Sequence, residues 1–122
     1  MSERLLREIQ ALPVPRDVSR KARPAFMKIV TEVLNWMWRT PDALPYIPNL
    51  TVTFEQEYPG FGFFSLDYED YPLATVISTT TRLDVSVLDE AAKSQILDNL
   101  KKPRHISVPP STSSPSPSSS SW

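Results

Sequence analysis

Five carboxylates near the middle of the chain are the side chains most able to do chemistry. Asp67, Glu69 and Asp70 fall within four positions, and Glu55 and Glu57 precede them in an alternating run. A pair of carboxylates can serve as general acid and base or bind a divalent cation. Both roles need a cleft, whereas side chains that alternate along a strand form an open face in water. We therefore interpret these residues as a surface and predict no metal site.

The other residue types also argue against enzymatic chemistry. The chain has no cysteine and a single histidine, His105, so no imidazole pair and no Cys-His or Ser-His-Asp set can form inside the domain. The two glycines, Gly60 and Gly62, belong to no phosphate-binding loop motif. We expect a protein that is not an enzyme and that needs no cofactor.

Two alternating runs position the carboxylates. Residues 50–58 and 63–69 alternate between apolar and polar side chains, with a Pro59-Gly60 turn between the runs. This pattern predicts a β-hairpin that buries one face. The apolar face carries Leu50, Val52, Phe54, Tyr58, Phe64, Leu66 and Tyr68. The opposite face carries Thr51, Thr53, Glu55, Glu57, Phe63, Ser65, Asp67 and Glu69.

A third run, residues 74–85, is rich in threonine, valine and isoleucine and also predicts a strand. Its alternation is irregular, because Val76 falls on the opposite phase from Ile77, Leu83 and Val85. Two interpretations stay open for this run. Either a β-bulge shifts the phase, or the strand is covered on both faces.

Three segments have the pattern of helices. Residues 2–12 predict a short amphipathic helix, and residues 86–102 predict a capped helix that ends before Pro103. The longest segment, residues 24–39, starts with Pro24 and is apolar on most sides of a 3.6-residue period. A helix of that kind needs cover on most sides, so we predict that it is the central core helix.

The order α-α-β-β-β-α predicts an α+β fold. We expect a small antiparallel meander of three strands, packed on one face by helices, because alternating strands have one face to bury. Residues 1–105 would form this single domain. Residues 106–122 are almost entirely serine, threonine and proline, which predicts a flexible, disordered tail.

Charge is distributed unevenly along the chain. Residues 1–39 carry eight Lys/Arg and four Asp/Glu, residues 40–90 carry one and nine, and residues 91–122 carry four and one. The middle is therefore acidic and both ends are basic. Such asymmetry bears on partners and on internal pairing rather than on the fold.

An open acidic face and a surplus of apolar surface predict a protein-binding module, such as an assembly factor, an adaptor or a small chaperone. The acidic face, or a free strand edge, would take a basic or extended segment of a partner. The core helix has more apolar surface than the other elements cover, so we also expect contact there with a partner or with a second copy in a homodimer. The predicted partner-binding residues are Glu55, Glu57, Phe61, Phe63, Asp67, Glu69, Trp36 and Trp38.

A basic cluster gives an alternative function. Arg16, Arg20, Lys21 and Arg23 lie within eight positions and could bind nucleic acid or an anionic surface. We favour this less, because the nearby aromatic residues are better explained as core than as a stacking platform. No apolar run approaches the roughly 20 residues that span a bilayer. The N-terminal segment is charged, so we predict no membrane contact and a cytoplasmic location.

Overall fold

The computed structural model describes residues 3–102, which form three α-helices, a 3₁₀ helix and four strands. The helices are α1 (Glu3–Ala11), α2 (Arg16–Trp38) and α3 (Glu90–Lys101), and the 3₁₀ helix is Leu44–Asn49. The strands are β1 (Leu50–Tyr58), β2 (Phe61–Tyr68), β3 (Tyr71–Ser78) and β4 (Leu83–Val85). The predicted tail, residues 106–122, and His105 lie outside the described residues. Within residues 3–102, no helix is both long and apolar enough to cross a membrane.

The sheet is an antiparallel meander with strand order β1-β2-β3-β4. The α+β prediction is confirmed, but the sheet has a fourth strand. Thr79 N donates to Arg82 O at 2.9 Å and closes a turn inside the third alternating run, which is therefore two strands. The turn also resets the phase, since Val76 pairs with Val85 on the face that carries the helices, while Ile77 lies on the other face. The irregular alternation therefore reflects a chain reversal within the run.

One core joins the sheet to all three helices. Phe26 of α2 stacks on Phe64 of β2 with ring centroids 4.9 Å apart, and both rings are fully buried. Leu5 and Ile9 of α1 and Leu100 of α3 are buried in the same cluster. Burial of this apolar surface is the main force that holds the helices on one face of the sheet.

The central helix is longer than the sequence pattern predicts. Helix α2 begins at Arg16, eight positions before Pro24, so the proline lies inside the helix instead of at its start. Val18 and Ala22 are buried and continue the apolar side that Phe26 extends at four-residue spacing. Packing of this first half against the sheet compensates for the hydrogen bond that the proline cannot donate.

Replacing Pro24 by alanine is expected to raise the free energy of unfolding by about 1–3 kcal/mol, the cost that an interior proline imposes on a helix. The alanine N–H can donate to the carbonyl of Arg20, and the exposed proline ring gives up little packing. Urea unfolding followed by circular dichroism measures the change. Pro13→Ala, in the loop between α1 and α2, is the matched control and should gain nothing. Equal stabilities for the two variants would contradict this account of α2.

Candidate functional site

An aromatic and acidic patch lies on the outer face of the sheet, beside the β1–β2 turn. Its residues line a shallow recess of about 450 Å³. We call this surface the outer-face patch, and it consists of Glu55, Glu57, Tyr58, Phe61, Phe63 and Ile77. It contains four of the residues that the sequence predicts for partner binding, and it adds Tyr58 and Ile77.

Strand register brings the patch residues together. Glu55 pairs with Phe63, and Phe63 pairs with Ile77, so the three side chains form one row across β1, β2 and β3. Directly opposite residues on one face of a sheet have their Cβ atoms about 5 Å apart. The row therefore places the Glu55 carboxylate beside Phe63, and Phe63 beside Ile77.

A β-bulge adds Tyr58 to the patch. The β1–β2 register shifts between Gln56 and Tyr58, and Tyr58 pairs with Phe61. The two rings stack with centroids 5.1 Å apart and an interplanar angle of 22°. Alternation predicts Tyr58 on the buried face, and that prediction is wrong, because the side chain is 62% exposed. The extra residue of the bulge reverses the phase at this point.

The two carboxylates of the patch are free to meet a ligand. Glu55 and Glu57 are exposed, and neither forms an ion pair or a side-chain hydrogen bond with another residue in the range 3–102. They lie next to exposed aromatic surface, so the patch presents negative charge and apolar area together. That combination is complementary to a segment that carries both a cation and an apolar side chain.

Asp67 and Glu69 lie away from the patch. Asp67 pairs with Thr51, four residues along β2 from Phe63, which is about 13 Å at 3.3 Å per residue. Asp67 also accepts a 2.6 Å hydrogen bond from Ser65, a side chain predicted to be exposed that is only 4% exposed. Glu69 lies beyond Asp67, in the β2–β3 turn, with φ of 53°. The predicted acidic residues therefore do not converge, and residues 3–102 contain no group of three or more ligands suited to a metal ion.

The two tryptophans lie near the far end of α2. A Cβ on Gly62 would be 2.8 Å from Val18 Cγ1, so the start of α2 touches the hairpin that carries the patch. Trp38 follows Val18 by 20 positions, or about 30 Å along a helix. Trp36 packs against the core, and Trp38 is 45% exposed. Most of the surplus apolar surface predicted for this helix is therefore covered within the protein, and Trp38 is the main exposed part. The homodimer stays a prediction.

The basic cluster is divided between structural and exposed side chains. Arg23 donates to the carbonyls of Ile9, Gln10 and Leu12 at 2.6–3.0 Å and holds α1 against α2. Lys21 Nζ lies 3.4 Å from the carbonyl of Thr79. Arg16 and Arg20, the other two members of the cluster, are exposed. The nucleic-acid alternative therefore keeps two fully available cations, and it stays a prediction.

The two sheet edges differ in how far they are covered. Arg4 of α1 donates to the carbonyls of Pro48 and Leu50 at 3.4 and 3.2 Å and covers the start of β1. All three residues of β4 are exposed. An Arg82–Asp84 ion pair of 2.9 Å lies on this short edge, and charge of this kind discourages pairing between sheet edges.

No family model matches this chain, and neither a curated protein nor a solved structure matches it.

Proposed function

We propose that this protein is a non-enzymatic binding module that recognises a partner protein through the outer-face patch. The occupant is a segment with a lysine or arginine next to an aromatic or aliphatic side chain. The observation that carries the proposal is the exposed Tyr58–Phe61 stack beside two carboxylates that have no ion-pair partner among residues 3–102. An assembly factor, an adaptor or a small chaperone would use such a surface.

The physical case begins with the aromatic side chains. Tyrosine and phenylalanine bury large areas when a partner covers them, and aromatic residues dominate the energetics of protein interfaces. A cation over an aromatic ring contributes about 0.5–2 kcal/mol, and more as water is excluded. The Tyr58 ring is open to such a contact, and Phe61 supports it from its other side.

Glu55 and Glu57 add selectivity. Their negative charges attract a basic segment at a distance and repel an acidic one, which affects association rate and choice of partner more than total affinity. The residues form an open recess on a sheet face, and such a surface does not exclude water as an active site does. This geometry favours recognition over catalysis. A lack of cysteine fits a reducing compartment, and a cytoplasmic location stays a prediction.

Selection from a library of random displayed peptides tests the proposal. The wild-type chain is expected to enrich peptides in which Lys or Arg neighbours an aromatic or aliphatic residue. The double variant Glu55→Lys/Glu57→Lys should bind those peptides about tenfold more weakly or worse, because two attractions become repulsions. Affinities measured by calorimetry at a fixed salt concentration give the comparison.

A control with the same change in net charge distinguishes the effect of charges in the patch from the effect of the net charge of the whole protein. Asp70 and Asp98 are exposed, and neither lines the patch. The double variant Asp70→Lys/Asp98→Lys should keep the wild-type affinity to within about twofold, since distant surface charges are largely screened. Equal losses in both double variants, or enrichment of peptides without basic residues, would refute the proposed role of the patch.

A further inference from the structure

A second recess lies on the other side of the β1–β2 turn, between the start of α2 and the turn that joins β3 to β4. It has a volume of about 200 Å³ and opens to solvent. A single water molecule takes about 30 Å³ of liquid, so the recess has room for a group several times larger. We call it the α2 pocket, and it is lined by Asp17, Val18, Lys21, Gly60, Ser78, Thr79 and Thr80.

The α2 pocket contains a buried hydroxyl that has no hydrogen-bond partner among residues 3–102. Ser78 is 1% exposed, and within residues 3–102 its Oγ makes no hydrogen bond. The other buried serine, Ser65, donates to Asp67. Buried polar side chains nearly always have a hydrogen-bond partner, so an unpaired hydroxyl at the wall of an open recess is suited to a partner that enters the recess.

The pocket also contains hydrogen-bond donors from α2. Helix α2 starts after Pro15, whose side chain cannot cap it, so the first-turn N–H groups have no side-chain acceptor from that residue. The N-terminus of a long helix carries partial positive charge. Lys21 makes one long contact to Thr79 O at 3.4 Å, which leaves donors of its ammonium group free. Donors from the helix, Lys21 and Ser78 together call for an acceptor-rich anion.

We propose that the α2 pocket binds a phosphate group, either as inorganic phosphate or as a phosphate monoester. The phosphate oxygens accept from Lys21 Nζ and from Ser78 Oγ at the N-terminal end of α2. The pocket is independent of the outer-face patch, because no residue lines both.

Asp17 gives the site its selectivity. Its carboxylate lines the pocket and repels a fully ionised anion. A phosphate group that keeps one proton carries a P–OH that donates to the carboxylate, while its other oxygens accept from Lys21 and Ser78. Inorganic phosphate keeps such a proton at neutral pH, and a monoester keeps one below its second pKa of about 6. Sulfate carries no proton at neutral or mildly acidic pH, so it cannot donate to Asp17, and the repulsion offsets its contacts with Lys21 and Ser78. The pocket therefore distinguishes phosphate from sulfate, and we expect a dissociation constant in the millimolar range.

Amide chemical shifts of the ¹⁵N-labelled full chain test the proposal, in titrations with phosphate, sulfate and N-acetyl-phosphoserine amide. The titrations are run at about pH 5.5, where the monoester keeps a proton, and sodium chloride holds the ionic strength constant. Saturable shifts are expected at residues 16–21 and 78–80 with phosphate or with the monoester, but not with sulfate. A response to the monoester alone would identify a modified protein as the ligand source, and a response to both would identify the phosphate group itself. Absence of saturable shifts with both phosphate probes would overturn the proposal.

Three variants define the roles of the residues. Ser78→Ala and Lys21→Met should each weaken phosphate binding about tenfold, the factor that goes with losing one hydrogen bond to a charged group. Asp17→Asn should let sulfate bind as well as phosphate. Wild-type spectra away from the pocket show that each variant is folded. Unchanged phosphate affinity in both Ser78→Ala and Lys21→Met would also overturn the proposal.

Discussion

Replacing Arg23 by alanine is expected to destabilise the fold by about 3 kcal/mol, because a half-buried guanidinium loses several hydrogen bonds to carbonyls that stay behind. Nη1 donates to Ile9 and Gln10 at 2.6 and 2.7 Å, Nη2 donates to Leu12 at 3.0 Å, and Nε donates to Ser19 Oγ at 2.8 Å. These backbone carbonyls end α1, which has no basic residue in its own last turn. The cation from α2 therefore also offsets the negative end of the α1 dipole.

Arg20 provides a control of the same residue type on the same helix. It is exposed, so Arg20→Ala should change the free energy of unfolding by less than about 0.5 kcal/mol. Arg23→Lys should fall between the two, since an ammonium group cannot reach all three carbonyls at once. Urea unfolding of the three variants measures the differences. If Arg23→Ala and Arg20→Ala are equally stable, Arg23 does not hold α1 in place.

Replacing Phe64 by alanine is expected to cost about 3–5 kcal/mol of stability, the usual range for truncating a buried aromatic side chain. Phe64 is fully buried at the centre of the sheet, and its ring centroid lies 4.9 Å from those of both Phe26 and Phe54. The alanine leaves a cavity between α2 and two strands, which the surrounding elements can fill only in part.

Phe63, the preceding residue on β2, is the control that shows whether the cost depends on the face of the sheet or only on the position in the strand. It has the same side chain but belongs to the outer-face patch and is only partly buried. Phe63→Ala should therefore cost less than half as much stability as Phe64→Ala, and it should weaken binding of the selected peptides. Denaturant midpoints and slopes give both stabilities. Similar costs for the two variants would contradict the assignment of the buried face.

Alternation along the chain predicted most of the sheet. The polar and apolar phases of residues 50–56 and 63–68 fix the β1–β2 register, because a one-residue slip would expose the whole apolar face. The third run contained a turn that the pattern did not reveal. Thr79 and Arg82 form this turn without the glycine or proline that is usual in turns. Hydrogen bonds between these two residues stabilise it instead.

The start of α2 could not be read from local preference. Proline is common at the first position of a helix, so Pro24 looked like a helix start. Burial of Val18 and Ala22 in the core favours a helix that extends beyond the proline towards the N-terminus. The four-residue spacing of Val18, Ala22 and Phe26 was the sequence pattern that indicated the longer helix. Tertiary packing of these residues outweighs the local preference of proline for the first position of a helix.

The candidate site was predicted in part. Glu55, Glu57, Phe61 and Phe63 do lie together, because the hairpin pattern places them at one end of one face. Tyr58 was missed, since a bulge is not visible in residue type alone. Asp67 shares a strand phase with Phe63, but distance along the strand separates it from the patch, and Glu69 lies farther away in the β2–β3 turn. Alternation predicts which face of the sheet a side chain lies on. Residues of one site must also lie close together along the strands, and alternation does not predict that.

Site-specific photo-crosslinking to a selected basic peptide is the most direct test of the binding proposal. A benzoylphenylalanine at position 58 is expected to crosslink to the peptide, and the same group at position 38, about 30 Å from the start of α2, is not. Mass spectrometry of the digested products locates each crosslink. Crosslinks from position 38 with none from position 58 would show that the partner segment binds the far end of α2, and would contradict the assignment of the outer-face patch as the binding surface.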